Sequence, residues 1–150
     1  MPEIDSKKQH IFFIIPGEPI GKARHRTGRG ITYTPKKTKD YEFLVQQCWS
    51  LATRGVWDKE GPFKIFILAE FSIPKSKSKS WKEKAKNGEI FVTKKPDCDN
   101  IAKIVLDGLN ESAFNDDAQI VELQVKKIYT EKPPCVKVYI EAGEEKEPLS

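Results

Sequence analysis

Apolar residues along the chain occur in blocks, and several short blocks have the composition of β-strands. β-Branched and aromatic residues dominate these runs, and such side chains suit a half-buried pleated surface. The predicted strands span residues 10–15, 31–34, 63–73, 120–130 and 136–140. Residues 89–93 are predicted to form either a short strand or an extended approach to the polar motif that follows them.

Two helices are predicted between residues 36 and 87, the first of them from the helical spacing of its apolar residues. The first is predicted over residues 36–53, with Thr34 as its N-cap and Pro35 at the first helical position. A shorter helix is predicted over residues 81–87, capped by Ser80.

The third predicted helix, residues 98–111, has a clearly divided pattern. At 100° per residue, Asp99, Lys103 and Asp107 fall together on the polar side. The opposite, apolar side predicts contact with a core; its residues are Ile101, Ile104, Val105, Gly108 and Leu109.

The order of these elements predicts a single α+β domain with a mixed sheet of about four strands and two main helices packed on it. The domain is predicted to occupy residues 1–150, a usual length for one domain, with flexible tails at 1–9 and 142–150. The apolar run at 11–15 is too short for a signal-peptide core or a membrane span. Three widely spaced cysteines predict free thiols, so a cytoplasmic protein without membrane association is expected.

Charge is unevenly distributed in this chain, which has a net charge of +4. Positive residues are dense over 22–39 and 75–95, whereas aspartates gather over 97–117. A basic surface around an acidic pocket is typical of a nuclease. A well-solvated surface explains the charge alone equally well.

The sharpest chemical signal is the pair Asp97 and Asp99 at the start of the third helix. Carboxylates two residues apart can direct oxygens at one hard cation, and Mg²⁺ prefers oxygen ligands. Asp117, in the turn after the helix, is the candidate third ligand, and Asp116 ranks behind it. Taken alone, Asp97 also suits an ordinary N-cap and Asp117 an ordinary polar turn. Their joint occurrence favours a metal site.

Lys103 follows Asp99 by one turn and is the candidate for stabilising charge on a phosphate. The alternative is an ion pair with Asp99 or Asp107 along the helix. Asp107 is predicted to pair with Lys103 rather than to bind metal.

A second group of residues is predicted to bind DNA phosphates, because arginine and lysine side chains and backbone N–H groups near glycines suit phosphate oxygens. These candidates are Lys22, Arg24, Arg26, Arg29, Lys94, Lys95 and Asn100. The segment 21–30 is predicted to be a flexible cationic loop; a purely solvated loop is the alternative.

Several of these motifs together resemble the RusA-type Holliday junction resolvases, small endodeoxyribonucleases of bacteria and phages. The matching stretches are Pro16-Gly-Glu-Pro19, Gly21-Lys-Ala-Arg-His-Arg26, Tyr33-Thr-Pro35, Lys95-Pro-Asp-Cys-Asp-Asn100, Lys103, Leu106-Asp-Gly-Leu109 and Asn115-Asp-Asp-Ala-Gln119. The chain has Pro96 where some members carry arginine, with Lys94 and Lys95 beside it.

The resemblance implies a homodimer that cuts four-way DNA junctions in recombination and repair, with Mg²⁺ as cofactor and Mn²⁺ as substitute. Its catalytic and metal-binding carboxylates correspond to Asp97, Asp99 and Asp117, and its essential lysine to Lys103. Two alternatives remain open: a non-catalytic protein that binds branched DNA, and a glycosyltransferase fragment with a DxD metal site. The chain is short and has no clear nucleotide-binding βαβ unit, which disfavours the second.

Overall fold

The structure, a computed structural model, describes residues 9–23, 26–28, 31–33 and 35–143, and only the backbone of 26–28 and 31–33. It confirms the predicted α+β class. The strands are β1 (His10–Pro16), β2 (Arg26–Gly28), β3 (Ile31–Tyr33), β4 (Phe63–Ser72), β5 (Ile120–Thr130) and β6 (Cys135–Ala142). The helices are α1 (Lys36–Thr53), α2 (Lys79–Lys86) and α3 (Cys98–Leu109), with a 3₁₀ turn at Asp117–Gln119.

Four strands form a mixed sheet in the order β1-β6-β4-β5, in which only the β4–β5 pair is parallel. Strands β2 and β3 form a separate antiparallel pair. Alternation along β4 directs Ile65, Ile67 and Ala69 into the core, where they join apolar residues of α1 and α3. The sheet and these two helices therefore enclose the core that holds α3 in place.

The other side of the sheet, named here the open sheet face, carries the alternate residues of β1, β4 and β6. Phe12 pairs with Tyr139, which pairs in turn with Phe66, and Leu68 pairs with Lys137 beside Ile14. Phe12 is 53% exposed and Ile14 is 45% exposed. Phe12, Tyr139 and Phe66 form an apolar row across the three strands, and Ile14 and Leu68 flank this row on either side of Lys137.

The contact between α1 and α3 depends on a glycine. A Cβ atom added to Gly108 of α3 would lie 2.8 Å from Cβ of Val45 and 3.1 Å from the carbonyl oxygen of Glu42. Glycine thus lets the two helices approach closely, and it sets the position of α3, which carries most of the candidate site residues.

Helix starts and ends differ from the predictions in several places. Pro35 occupies the N-cap position of α1 and not the first helical position; Thr34 lies outside the described residues. Helix α2 begins at Lys79, because the side chain of Ser78, and not that of Ser80, accepts the N–H of Trp81. Helix α3 stops at Leu109, because the backbone of Asn110, with φ of −58° and ψ of 136°, leaves the helical region, and Glu111 after it is left-handed with φ of 69°.

Two loop predictions also changed. Residues 26–28, predicted as part of a flexible loop, form β2. Residues 89–93, for which a short strand was one of the two predictions, contain no strand and connect α2 to α3 without regular secondary structure. Tails were predicted at 1–9 and 142–150, of which residues 1–8 and 144–150 lie outside the described residues. Ala142 belongs to β6 and donates its N–H to the carbonyl of Gln9 at 2.8 Å.

None of the helices in the described part of the chain is both long enough and apolar enough to cross a membrane.

Candidate active site

Asp97 occupies the N-cap position of α3, yet its side chain makes no capping hydrogen bond. Only its backbone carbonyl takes part in the helix, by accepting the N–H of Ile101 at 3.0 Å. The carboxylates of Asp97 and of Asp99, in the first turn, are exposed. The simple capping role therefore does not account for the Asp97 carboxylate, whose oxygens remain available to a ligand.

The start of α3 is held by the segment that follows β1. The N–H of Lys22 donates to the carbonyl of Asn100 at 2.9 Å. A Cβ atom on Gly21 would lie only 2.7 Å from Cβ of Pro96 and 3.0 Å from Cβ of Asn100. This close approach requires glycine at position 21.

The turn that carries Asp117 is fixed by the side chain of Gln119. Its amide oxygen accepts the N–H groups of Asn115 at 2.7 Å and Asp116 at 3.0 Å, and its amide nitrogen donates to the carbonyl of Lys59 at 2.8 Å. Asp116 caps the 3₁₀ turn by accepting the N–H of Ala118 at 2.9 Å. Asp116 therefore has a structural task, whereas Asp117 contributes no cap.

Asp117 is exposed, and its surroundings act on its charge. A hydrogen bond with the carboxyl of Asp116 raises the pKa of Asp117, and the negative charge of Asp107 adds to this, while the positive charge of Lys103 opposes it. The hydrogen bond from Ala118 and then the one with Asp117 lower the pKa of Asp116. The turn thus lies within electrostatic range of the middle of α3, where Lys103 and Asp107 project.

Lys103 is exposed and makes no ion pair with Asp99 or Asp107 in the structure as described over residues 35–143. The prediction that Asp107 pairs with Lys103 is wrong. Oδ2 of Asp107 lies 2.9 Å from Nζ of Lys22, which reaches it from another segment of the chain. The ammonium of Lys103 is therefore available to a negatively charged ligand, and its positive charge acts on Asp117.

Within the described ranges, no three side chains of the His, Cys, Asp or Glu type are gathered closely enough to hold a metal ion by themselves. The predicted trio of Asp97, Asp99 and Asp117 is thus not assembled as a three-ligand cluster. The donors still have the chemistry that Mg²⁺ requires, because this ion commonly takes one or two carboxylates and completes its shell with water and substrate phosphate. The residues fit that partial set of ligands.

The predicted phosphate-binding residues differ in exposure. Lys94 and Lys95 are exposed, while the side chain of Lys22 is largely enclosed. Asn100 is half-buried and lines a groove of about 460 Å³ together with Lys22, Lys95 and Asp97. Arg24 and Arg29 lie outside the described residues, and of Arg26 only the backbone in β2 is described.

The sequence analysis assigned no role to two residues that matter to the site. Gln119 follows Asp116 by three positions, which is the spacing of a capping box and could have been recognised. Glu42, which binds Lys22, carries no local signal, because its partner is twenty positions away in the sequence.

Comparison with known proteins gives two findings. The model of a protein family described as Endodeoxyribonuclease RusA matches residues 16–141. The chain is also 36% identical over 129 residues to the uncharacterized protein YqaN of Bacillus subtilis (strain 168), an alignment that covers 82% of this chain and 90% of the relative.

Proposed function

Since this chain belongs to the RusA family of endodeoxyribonucleases, we propose that it resolves four-way DNA junctions by Mg²⁺-dependent hydrolysis of phosphodiester bonds. The family supplies the class of reaction and the branched substrate. The metal dependence, the residue roles and the paired action of two subunits are the proposed part. Recombination and repair in the cytoplasm are the expected setting.

Asp97 and Asp99 are proposed to hold the Mg²⁺ ion at the start of α3, and Asp117 to complete the set of protein ligands when DNA is bound. The observation that carries this proposal is the exposed Asp97 carboxylate, which occupies a cap position without making the cap. When bound, the ion would supply Lewis-acid activation of water and of the scissile phosphate, and Mn²⁺ is expected to substitute for it.

The side chains of the protein are proposed to orient and neutralise the phosphate. Lys103 would offset the negative charge that develops on the scissile phosphate, because it is exposed on the same face of α3 as Asp99. Lys94, Lys95 and Asn100 would hold the neighbouring phosphates. The expected products are nicked duplexes with 5′-phosphate and 3′-hydroxyl ends.

The test uses a labelled synthetic four-way junction, incubated with the protein and with Mg²⁺, Mn²⁺ or EDTA. Cleavage is expected with either metal and not in EDTA. The variants Asp97→Asn, Asp99→Asn, Asp117→Asn and Lys103→Ala should each cut at least about 100-fold more slowly, because each loses a ligand or a charge that acts on the reacting phosphate. Asp40→Asn removes an exposed carboxylate of α1 that does not line the groove beside Asp97 and should cut at the wild-type rate.

Binding of the same junction, measured without cleavage, separates the alternatives. The Asp→Asn variants should bind at least as tightly as the wild type, because removing negative charge reduces repulsion of DNA. Wild-type protein that binds junctions but leaves them intact with both metals would show a non-catalytic binding protein. Near-normal cleavage by the four site variants would overturn the assignment of residues.

We further propose that two copies of the chain form a homodimer through the open sheet face. A contiguous apolar surface of this kind on a soluble domain commonly marks an interaction site. Two-fold packing of the face on itself would bury Phe12 and Ile14 and present two equivalent sites to the symmetric strands of a junction.

A further inference from the structure

Lys22 was predicted to bind DNA, but its side chain is enclosed between two helices. Its Nζ lies 3.2 Å and 3.1 Å from the two carboxylate oxygens of Glu42 in α1 and 2.9 Å from Oδ2 of Asp107 in α3. The side chain is 12% exposed. A lysine whose ammonium is already shared by two carboxylates has little capacity left for a phosphate oxygen.

Lys22 contacts α3 at two places, with its backbone near the start of the helix and with its side chain near the end. Its N–H binds the carbonyl of Asn100, in the first turn, while its side chain reaches Asp107, two turns further on. Gly21 packs against Pro96 at the same time. The segment of Gly21 and Lys22 thus contacts α3 near both ends of the helix, on either side of the positions of Asp99 and Lys103.

The charges support the same role. With Lys22 in place, the charge of Asp107 is balanced locally. Without Lys22, Glu42 and Asp107 would face each other as unpaired carboxylates. Their mutual repulsion would loosen the contact between α1 and α3, and their negative charge would repel DNA.

The chain continues from Ala23 into the arginine-bearing segment that contains β2. Lys22 therefore fixes residues 21–23 against α3. We propose that Lys22 is a positioning residue, not a phosphate contact: through Glu42, Asp107 and the carbonyl of Asn100, it holds residues 21–23, α1 and α3 in the relative position that cleavage requires. The inference rests on the proposed nuclease function for its catalytic consequence only.

The first test compares the salt dependence of junction binding. Each lysine that neutralises a phosphate adds about one unit to the slope of log affinity against log salt. Lys95→Met, which removes an exposed lysine, should lower that slope by about one, whereas Lys22→Met should leave it unchanged. An equal fall of the slope in Lys22→Met would identify Lys22 as a phosphate contact and overturn the proposal.

The second test measures single-turnover cleavage at saturating protein, so that weakened binding does not contribute. Lys22→Met should cut about 10- to 100-fold more slowly, because the groups around the phosphate are misplaced. Lys22→Arg, which keeps the charge and can still reach both carboxylates, should recover most of the rate. A wild-type rate for Lys22→Met would contradict a positioning role.

Two further measurements keep the inference testable apart from catalysis. Lys22→Met should lower the unfolding midpoint and speed hydrogen exchange in residues 98–103, whereas Lys86→Met, which breaks an exposed ion pair with Glu131, should change neither. The double variant Lys22→Met/Glu42→Gln removes one unpaired carboxylate and should regain stability without regaining the cleavage rate. If the wild type cuts no junction, the proposed function fails, while unchanged exchange in Lys22→Met would refute the anchor itself.

Discussion

Tyr41 carries a buried polar atom that is not part of the candidate site. Its side chain is 5% exposed, and its hydroxyl has no hydrogen-bond partner among the described residues. Burial raises the pKa of Tyr41, and the neighbouring thiols of Cys48 and Cys135 raise it further. An unpaired buried hydroxyl costs about 1–3 kcal/mol of stability.

Tyr41→Phe should therefore increase the free energy of unfolding at pH 7, by up to about 1 kcal/mol. The gain should grow above pH 10, because the phenol ionises there in the unfolded chain but remains protonated in the folded one, so wild-type stability falls as pH rises. Urea unfolding at pH 7 and at pH 10.5 measures both effects.

Tyr129→Phe is the matched control for this substitution. It removes the hydroxyl of a half-buried tyrosine outside the proposed dimer interface and should bring no gain at pH 7. A clear loss of stability in Tyr41→Phe would mean that its hydroxyl is paired in solution.

Helix α3 links the packing of the protein to its chemistry. Its buried face holds it on the sheet and on α1, and its exposed face carries Asp99 and Lys103. The closest point between the helices is Gly108 against Val45. The position of the site residues therefore depends on how closely these two helices approach.

Gly108→Ala tests this contact. Alanine favours a helix by up to about 1 kcal/mol, but overpacking typically costs about 1–3 kcal/mol, and the rigid backbone of Glu42 limits adjustment. We expect a net loss of about 1 kcal/mol in urea unfolding, together with slower junction cleavage. Adding Val45→Ala should cost less than the sum of the two single substitutions. A stabilised Gly108→Ala protein would show that the helices separate freely.

On the scale of the whole molecule, the proposed dimer uses the face of the sheet that faces away from α1 and α3. Other exposed apolar side chains, such as Phe43 of α1, lie outside this face. The open sheet face differs from them because its apolar residues adjoin across three strands. The apolar row across three strands is the reason why this face is proposed as the interface.

Phe12→Lys combined with Ile14→Lys should convert the dimer to a monomer, because face-to-face packing would bury four unpaired ammonium groups. Analytical ultracentrifugation measures the mass of the wild type and of the double variant. On a plasmid that contains a cruciform, the wild type should give linear DNA by paired cuts, whereas the double variant should give mainly nicked circles. Phe43→Lys should remain dimeric and cut in pairs. A dimeric double variant would place the interface elsewhere.

Several elements were predicted correctly because their signal is local and long. The eighteen residues of α1 and the eleven of β5 have the predicted bounds, and the buried face of α3 is the predicted one. The bounds of short helices were predicted less accurately, because a single capping residue sets where they begin. The N-cap of α2 is Ser78, two residues before the predicted Ser80.

The sequence by itself determined the α+β class, the helix that bears the aspartates and the oxygen-donor chemistry of the site, because spacing and residue type are local properties. Only the tertiary structure decided that Lys22 pairs with Asp107 and Glu42, that Lys103 remains unpaired in this part of the chain, and that Gln119 ties the turn of Asp117 to the carbonyl of Lys59. The physical reason is that ion pairing depends on distances between segments far apart in the chain, and those distances are set by the packing of α1, α3 and the sheet.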